Sequence, residues 1–106
     1  MAPRVITAPV IISFADRETA DIYDGRATTA ARAACPEHLW PVARRKLDQI
    51  NRVATLRELA KPPGNRLEKL RGSRTGQYSV RINQQYRVCF RWEEGDAYEV
   101  QVTDYH

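Results

Sequence analysis

Hydrophobic and polar residues alternate with a period of two through much of the second half of the chain. The alternation is regular in three runs, 77–82 (QYSVRI), 86–92 (YRVCFRW) and 97–106 (AYEVQVTDYH). A period of two is typical of strands with one buried face. Short polar segments, NQQ and EEGD, separate these runs and predict antiparallel hairpins. The preceding run RLEKLRG, residues 66–72, is predicted to add a further strand, giving a meander of about four strands.

The beginning of the chain carries one strand signal and one clear helix signal. The short β-branched run VIISF, residues 10–14, is predicted to form a strand. Asp16 then stands at an N-cap position for a short helix, RETADIYD, that would end at Gly25. Residues 27–34 are rich in alanine and threonine and are compatible with either a helix or a loop.

A longer helix is predicted from about residue 39 to residue 53, because apolar residues recur there at helical spacing. These residues are Leu39, Ala43, Leu47, Ile50 and Ala54. Pro41 is compatible with this helix only within its first turn. Thr55 and Glu58 form a T-x-x-E capping box for one more short helical segment, which Pro62 and Pro63 end.

These elements predict a single α+β domain over residues 10–106. An N-terminal strand and two to three helices would pack on one face of a mainly antiparallel sheet. Residues 1–9 are interpreted as a loose N-terminal leader. An aromatic stripe along the strands is expected to form the core beneath the helices rather than a base-stacking surface. Its members are Tyr78, Tyr86, Phe90, Trp92 and Tyr98.

Charge adds an anionic partner to this picture. The chain of 106 residues has a formal net charge of +4 and a sequence pI of about 9.4, which favours an anion such as nucleic acid. From residue 61 to residue 92 the only acid is Glu68. Alternation places Arg81, Arg87 and Arg91 on the strand side opposite the core, where they would present a positive surface to phosphate. A merely solvated basic face is the alternative.

Other classes of protein are disfavoured. Cys35 and Cys89 do not make a disulfide framework and are interpreted as reduced thiols of a cytoplasmic protein. No Cys/His pair has ligand spacing, so neither a metal nor another cofactor is expected. The apolar run near the N-terminus is too short to span a membrane and lacks the pattern of a signal peptide.

Candidate acid–base chemistry lies in the final residues. Asp104 and His106 are two apart on the last predicted strand, so their side chains leave it on the same side. Because alternation would continue the apolar stripe of Val100 and Val102, both are expected beyond the end of the core. A histidine beside a carboxylate is typical of acid–base work near neutral pH. From these residues alone, a solvated polar tail is the alternative.

Four features of the second half are specific in combination. They are the motifs R-L-x-x-L-[KR]-G, G-Q-[YW]-S and [YW]-R-[IV]-x-F-R, and the ending DYH. Together they resemble the HigB toxins, the plasmid-maintenance killer branch of the RelE/ParE superfamily, over roughly residues 10–106. The resemblance implies a RelE-like fold and a toxin that cleaves messenger RNA on the translating ribosome.

The resemblance also implies a set of catalytic residues. Asp104, Tyr105 and His106 match the catalytic D-Y-H of the family. Arg71 matches the basic residue of the L-[KR]-G motif, and Arg87 matches the arginine of the [YW]-R-[IV] strand. Tyr105 would either stack on a base or pack against the protein.

The implied reaction is metal-free, with the 2′-hydroxyl of the RNA attacking the adjacent phosphorus. The base that accepts its proton would be Asp104 or Glu68, and Glu68 stands where some active members carry a histidine. His106 would protonate the 5′-oxygen leaving group, while Arg71 and Arg87 would stabilise charge on the phosphorane. Further contacts to RNA are expected from other basic residues, namely Arg66, Lys69, Arg74, Arg81 and Arg91.

The resemblance implies partners as well. A cognate HigA-type antitoxin with a helix-turn-helix domain would neutralise the toxin and give it indirect contact with operator DNA. The ribosome and messenger RNA are the other expected partners, and no membrane is expected. Two alternatives are a ParE-like toxin that binds DNA gyrase without cutting, and a catalytically inactive nucleic-acid-binding module. The D-Y-H ending disfavours both, because a pure binder has no need of an Asp/His pair.

Overall fold

Local capping groups fix the first helix of the computed structural model, which describes residues 10–104. Helix α1 is Arg17–Asp24, and the Asp16 carboxylate accepts a hydrogen bond from the Thr19 amide at 2.9 Å. The helix ends at Gly25, whose φ of 80° is readily adopted by glycine. Both ends confirm the prediction made from the sequence. The expected leader, residues 1–9, and the predicted catalytic residues Tyr105 and His106 lie outside the described residues.

Three more α-helices follow within residues 10–104. Helix α2 is Thr29–Ala34, which decides the ambiguous stretch in favour of a helix. Helix α3 is Trp40–Arg52, with its proline in the first turn, as predicted. Helix α4 is Leu56–Ala60, capped by Thr55. The described chain therefore has four α-helices rather than two to three, because the ambiguous stretch also forms a helix.

An antiparallel sheet follows the helices. Its strands are β1 (Glu68–Lys69), β2 (Gln77–Arg81), β3 (Tyr86–Glu93) and β4 (Asp96–Asp104), in the spatial order β1-β2-β3-β4. The α+β fold class is thus confirmed. The predicted strand over residues 66–72 was too long, because pairing with β2 ends when the Leu70 amide donates to the Gln77 carbonyl at 2.8 Å.

Residues 10–15 run parallel to β4 along its free edge. Two isolated bridges, Ile11 with Ala97 and Phe14 with Val100, make this pairing. The Ile12 amide donates to the Ala97 carbonyl at 2.8 Å, and the predicted N-terminal strand is therefore an interrupted extended segment. The interruption lies opposite an irregularity in β4.

That irregularity is a β-bulge, which corrects the predicted core. The register between β3 and β4 shifts by one residue, and Glu99 adopts a φ of 53°. Beyond the shift Ala97 is the fully buried residue and pairs with Trp92, whereas Tyr98 pairs with Arg91 on the other side of the sheet. The prediction that Tyr98 belongs to the core was wrong, because strict alternation does not anticipate an extra residue.

The core lies between the helices and one face of the sheet. Ile22, Leu47 and Ile50 of the helices pack in one cluster with Val88 and Phe90 of β3. The remaining predicted aromatics, Tyr78, Tyr86 and Trp92, are partly buried against this cluster. No helix within residues 10–104 is long and apolar enough to cross a membrane.

A buried polar group ties the chain between α4 and β1 to helix α3. Asn65 is fully buried, and its side-chain oxygen accepts a hydrogen bond from the Lys46 ammonium. Its amide nitrogen donates to the Leu59 carbonyl at 3.0 Å and to the Gln49 side chain at 2.9 Å. Burial lowers the pKa of Lys46, and the positive charge of Arg45 lowers it further. Asn65 therefore supplies an acceptor to an ammonium that has little access to water.

Candidate functional site

The sheet face opposite the helices carries Arg81, Arg87 and Arg91 and is called the arginine face below. Three rows of Cα partners define it across β2, β3 and β4. The rows are Arg81–Arg87–Thr103, Ser79–Cys89–Gln101 and Gln77–Arg91–Tyr98. Glu68 of β1 is the partner of Ser79 and extends the middle row.

Arg81 and Arg87 lie directly opposite each other at one end of the arginine face. Arg87 is held firmly: its Nε donates to the Ser79 hydroxyl at 2.7 Å and its Nη2 to the Arg66 carbonyl at 2.6 Å. The Glu68 carboxylate lies 3.9 Å from Nη2, and the Arg87 side chain is only 13% exposed. Like charges placed opposite each other destabilise a strand pair unless an anion compensates them. This end of the face is therefore suited to an anion such as phosphate.

Arg74 lies across the middle of the same face. It is the last residue of a 3₁₀ turn, Gly72–Arg74, between β1 and β2. Its Nη1 donates to the Gln77 side-chain oxygen at 2.9 Å and its Nη2 to that of Gln101 at 3.0 Å. Gln77 belongs to β2 and Gln101 to β4, so the guanidinium group spans the intervening strand β3.

Cys89, in the middle row, lies near both Arg74 and Arg87. Burial raises the pKa of Cys89, while the positive charges of Arg74 and Arg87 lower it in part. Both cysteines of the chain are free and buried, in agreement with the interpretation as reduced thiols. Cys89 is thus covered, and the two guanidinium groups lie near it on the arginine face.

The other end of the arginine face is electrically balanced. Arg91 forms ion pairs with Glu93 and, at 3.6 Å, with Glu99. Tyr98 lies beside Arg91 because of the bulge. Arg91, which was predicted to bind RNA, therefore has two carboxylate partners.

Asp104 lies at the end of the sheet where Arg81 and Arg87 face each other. It is exposed, and one of its oxygens accepts a hydrogen bond from the Gln85 side chain at 2.9 Å. Its Cα partner is Tyr86, so alternation directs it to the helix side of the sheet. Burial raises the pKa of Tyr86, and the Asp104 carboxylate raises it further. The expectation that Asp104 lies beyond the end of the core agrees with its exposure.

The two candidate bases are far apart. Glu68 lies on β1 and Asp104 on β4, at opposite edges of the four-stranded sheet. Three strand spacings separate them, which amounts to about 14 Å. They also lie on opposite sides of the sheet, since Glu68 is the partner of Ser79 and Asp104 of Tyr86. Glu68 thus lies near Arg87 and far from Asp104.

The remaining predicted residues lie at the edge of the sheet near β1. Arg71 is exposed directly before the 3₁₀ turn, and Lys69 is exposed on β1 opposite Tyr78. Arg66 is exposed and has a left-handed φ of 44°. Tyr105 and His106 follow the last described residue. Within residues 10–104 no group of three or more His, Cys, Asp or Glu side chains is arranged to hold a metal ion.

Sequence reasoning missed the neutral residues that hold the arginines. Ser79, Gln77 and Gln101 contact Arg87 or Arg74 directly, and Asp16 contacts Gln101 at 3.1 Å. The alternation does place all three neutral residues on the same side as the arginines. That pattern was the available signal, although serine and glutamine on an exposed strand side are ordinarily only solvated.

Comparison with known proteins gives a family match over most of the chain. Residues 10–106 match the family of RelE-like toxins of the type II toxin–antitoxin system HigB. Toxin HigB-1 of Vibrio cholerae is 43% identical over 53 residues, which are 50% of this chain and 56% of that protein. An uncharacterized protein of Haemophilus influenzae is 38% identical over 62 residues, which are 58% of this chain and 61% of that protein. The chain thus spans little more than half the length of these curated relatives.

Proposed function

The chain belongs to the family of RelE-like HigB toxins of type II toxin–antitoxin systems, and from this premise we propose that it cleaves messenger RNA on the translating ribosome. The 2′-hydroxyl of the RNA attacks the adjacent phosphorus and the 5′-oxygen leaves, so the protein supplies acid–base groups and charge stabilisation. The sequence motifs that resembled HigB toxins are consistent with this family.

The observation that carries the proposal is the pair of arginines at one end of the arginine face. Arg81 and Arg87 lie opposite each other, and among residues 10–104 the carboxylate recorded beside Arg87 is that of Glu68, at 3.9 Å and 58% exposed. Ser79 and the Arg66 carbonyl fix the Arg87 guanidinium in place. A preorganised donor of this kind stabilises charge that develops on a phosphorane.

The proposed acid–base roles use Asp104, which lies at the same end of the sheet as Arg87 but is directed to its helix side. Asp104 immediately follows Thr103, the Cα partner of Arg87. We assign the base to Asp104 rather than Glu68, the acid to His106, and a stacking or packing role to Tyr105. Arg71 and Arg87 would stabilise the phosphorane. Other arginine-face and β1-edge residues, namely Arg66, Lys69, Arg74, Arg81 and Arg91, would contact the RNA or the ribosome.

The partners proposed are those of a type II system. A HigA-type antitoxin with a helix-turn-helix domain would neutralise the toxin and connect it indirectly to operator DNA. The cytoplasm is the proposed site of action, because translating ribosomes and messenger RNA are found there.

Replacing the second histidine tests the proposal. His106→Ala should abolish growth arrest on induction and cleavage of a ribosome-bound message, because it removes the proposed acid. His38→Ala is the matched control, since His38 is the other histidine of the chain and lies exposed in the 3₁₀ turn Glu37–Leu39. Full cleavage by a folded His106→Ala protein would contradict the assignment. Growth arrest without cleavage, together with inhibited DNA supercoiling, would instead support a gyrase-binding toxin.

A further inference from the structure

The turn that precedes β1 has an uncommon backbone conformation. It ends a short 3₁₀ helix, Pro63–Asn65, and the residue that follows, Arg66, has a φ of 44° and a ψ of 56°. This left-handed region is uncommon for residues other than glycine, because the Cβ atom crowds the neighbouring carbonyl. A residue held there against its preference persists only where the surrounding structure enforces it, and such residues cluster at functional sites.

Contacts on both sides of Arg66 enforce its conformation. Asn65, which precedes it, is fully buried, and its side chain is hydrogen-bonded to helix α3 and to the Leu59 carbonyl. The Arg66 amide donates to the Pro63 carbonyl at 3.3 Å. Leu67, which follows, is partly buried against the core. The main chain of Arg66 is therefore fixed between two anchored neighbours.

The carbonyl of Arg66 is the group that this turn presents to the arginine face. It accepts a hydrogen bond from Arg87 Nη2 at 2.6 Å, while the Ser79 hydroxyl accepts one from Nε at 2.7 Å. Two acceptors from different parts of the chain fix both the position and the plane of a guanidinium group, which is planar. Ser79 is fully buried and the Arg87 side chain is 13% exposed, so water competes little for these bonds.

The side chain of Arg66 takes no part in this contact. Arg66 is exposed, and the atom that Arg87 contacts is its main-chain oxygen, which every residue type carries. The residue type matters instead through the backbone, since glycine adopts a left-handed φ readily and a β-branched residue strongly disfavours it. Substitutions at position 66 can therefore separate the carbonyl from the side-chain charge.

We propose that Arg66 is a positioning residue that acts through its main chain: its left-handed turn directs a carbonyl to Arg87 and holds that guanidinium group in the orientation that RNA cleavage requires. The inference rests on the proposed function, in which Arg87 stabilises the phosphorane. It gives Arg66 a role separate from an RNA contact of its side chain, and it connects the buried Asn65 to the arginine face.

Two substitutions at position 66 test the proposal, because both remove the guanidinium group but they affect the backbone in opposite ways. Arg66→Gly favours the left-handed conformation, whereas Arg66→Val disfavours it. At saturating protein, Arg66→Val should cleave a ribosome-bound message about 10- to 100-fold more slowly than Arg66→Gly, as for loss of a hydrogen bond to a charged group. Equal saturating rates in the two variants would overturn the proposal.

NMR spectroscopy of the Arg87 guanidinium group tests the same contact without ribosomes. A guanidinium group held by two acceptors rotates slowly about its Nε–Cζ bond, so the Nη–H signals of Arg87 should be resolved in the wild-type protein and in Arg66→Gly. In Arg66→Val they should merge into one averaged signal. Arg52, whose side chain is 77% exposed, is the control and should give averaged signals in all three proteins. Averaged Arg87 signals in the wild-type protein would contradict the proposal.

A double-mutant cycle tests whether position 66 acts through Arg87. The difference in saturating rate between Arg66→Gly and Arg66→Val should disappear when each is combined with Arg87→Ala, because no guanidinium group then remains to be positioned. A difference of the same size in the Arg87→Ala background would mean that the turn affects cleavage by another route, and the proposal would be wrong.

An ester in place of the Leu67 amide provides a second variant, should Arg66→Val lose its fold as judged by circular dichroism. The ester leaves every side chain in place and makes the Arg66 carbonyl a weaker hydrogen-bond acceptor. It should lower the saturating rate when Arg87 is present but not in Arg87→Ala. An unchanged rate with Arg87 present would overturn the proposal.

These measurements distinguish failure of the inference from failure of the proposed function. If the wild-type protein cleaves no message but the Arg87 signals are resolved in Arg66→Gly and averaged in Arg66→Val, the function is wrong and the positioning role stands. If the wild-type protein cleaves but the two variants have equal rates and equally resolved Arg87 signals, the positioning role is wrong and the function stands.

Discussion

Replacing Glu68 by glutamine distinguishes a catalytic base from a residue that merely neighbours the phosphate site. We expect Glu68→Gln to leave the single-turnover cleavage rate unchanged within about threefold, well short of the effect of losing an acid–base group. We expect RNA binding to tighten, because the substitution removes a negative charge beside Arg87. Asp104→Asn should instead lower the rate about 10²–10⁴-fold, the range for loss of an acid–base group.

The size of the binding effect follows from one distance and one exposure. The Glu68 carboxylate is 3.9 Å from Arg87 Nη2, and its side chain is 58% exposed. Two unit charges about 4 Å apart attract by about 1 kcal/mol in bulk water and about 4 kcal/mol at an effective dielectric constant of 20. An exposed pair lies at the low end, with a typical net value of about 0–1 kcal/mol. RNA affinity should therefore increase by no more than about fivefold.

The assay measures binding and chemistry separately on the same ribosome-bound message. The dissociation constant is taken from the dependence of the single-turnover rate on protein concentration, and the rate at saturation gives the chemical step. Glu37→Gln is a matched control, because Glu37 is 57% exposed and pairs with Arg32 at 3.0 Å far from the arginine face. A saturating rate reduced about 10²-fold or more in Glu68→Gln, with Asp104→Asn near wild type, would refute the reasoning.

Three further predictions concern stability. Phe90→Ala should lower the free energy of unfolding by about 3–5 kcal/mol, because Phe90 is fully buried. Ile12 is 53% exposed, so Ile12→Ala should change that free energy by less than about 0.5 kcal/mol. Urea unfolding measures both variants. Asn65→Ala should lower the free energy of unfolding by about 3 kcal/mol or more, since it leaves the buried Lys46 ammonium without its acceptor. An unchanged urea midpoint would contradict this. Burial raises the pKa of the Cys35 thiol from 9.0 to about 11, so its contribution to stability is fully present below about pH 9 and is lost as the pH rises to about 11. Cys35→Ala should show a smaller decrease in the free energy of unfolding across that range than the wild-type protein, and parallel pH profiles would exclude a role for this thiol.

Elements fixed by local groups were predictable from the sequence. Helix α1 begins after Asp16 and ends at Gly25, as capping chemistry requires, and helix α3 follows the spacing of its apolar residues. The alternation of β2 and β3 was also predictable. The error at Tyr98 arose because the bulge at Glu99 depends on a distant contact, a hydrogen bond from the Glu99 amide to the Ser13 hydroxyl at 2.9 Å.

The candidate site was predictable only in part, for a similar reason. Charge and alternation placed Arg81 and Arg87 together, because both belong to one hairpin. Arg74 donates a hydrogen bond to Gln101, which in turn donates one to Asp16. Gln101 and Asp16 are 85 residues apart and belong to different layers of the fold. Residue types do not predict such a contact, since glutamine and aspartate are common on any protein surface.

The parallel pairing of residues 10–15 with β4 has a consequence for the timing of folding. The contact between Ser13 and Glu99 joins residues separated by 86 positions in the chain. Synthesis proceeds from the N-terminus, so residues 10–15 cannot pair with β4 until β4 has been synthesised. Contacts of such long sequence separation also slow folding, because a large loop must close before they form. Gln101 lies on the same late strand, so a nascent chain acquires a fixed Arg74 only after nearly all of the domain has been translated.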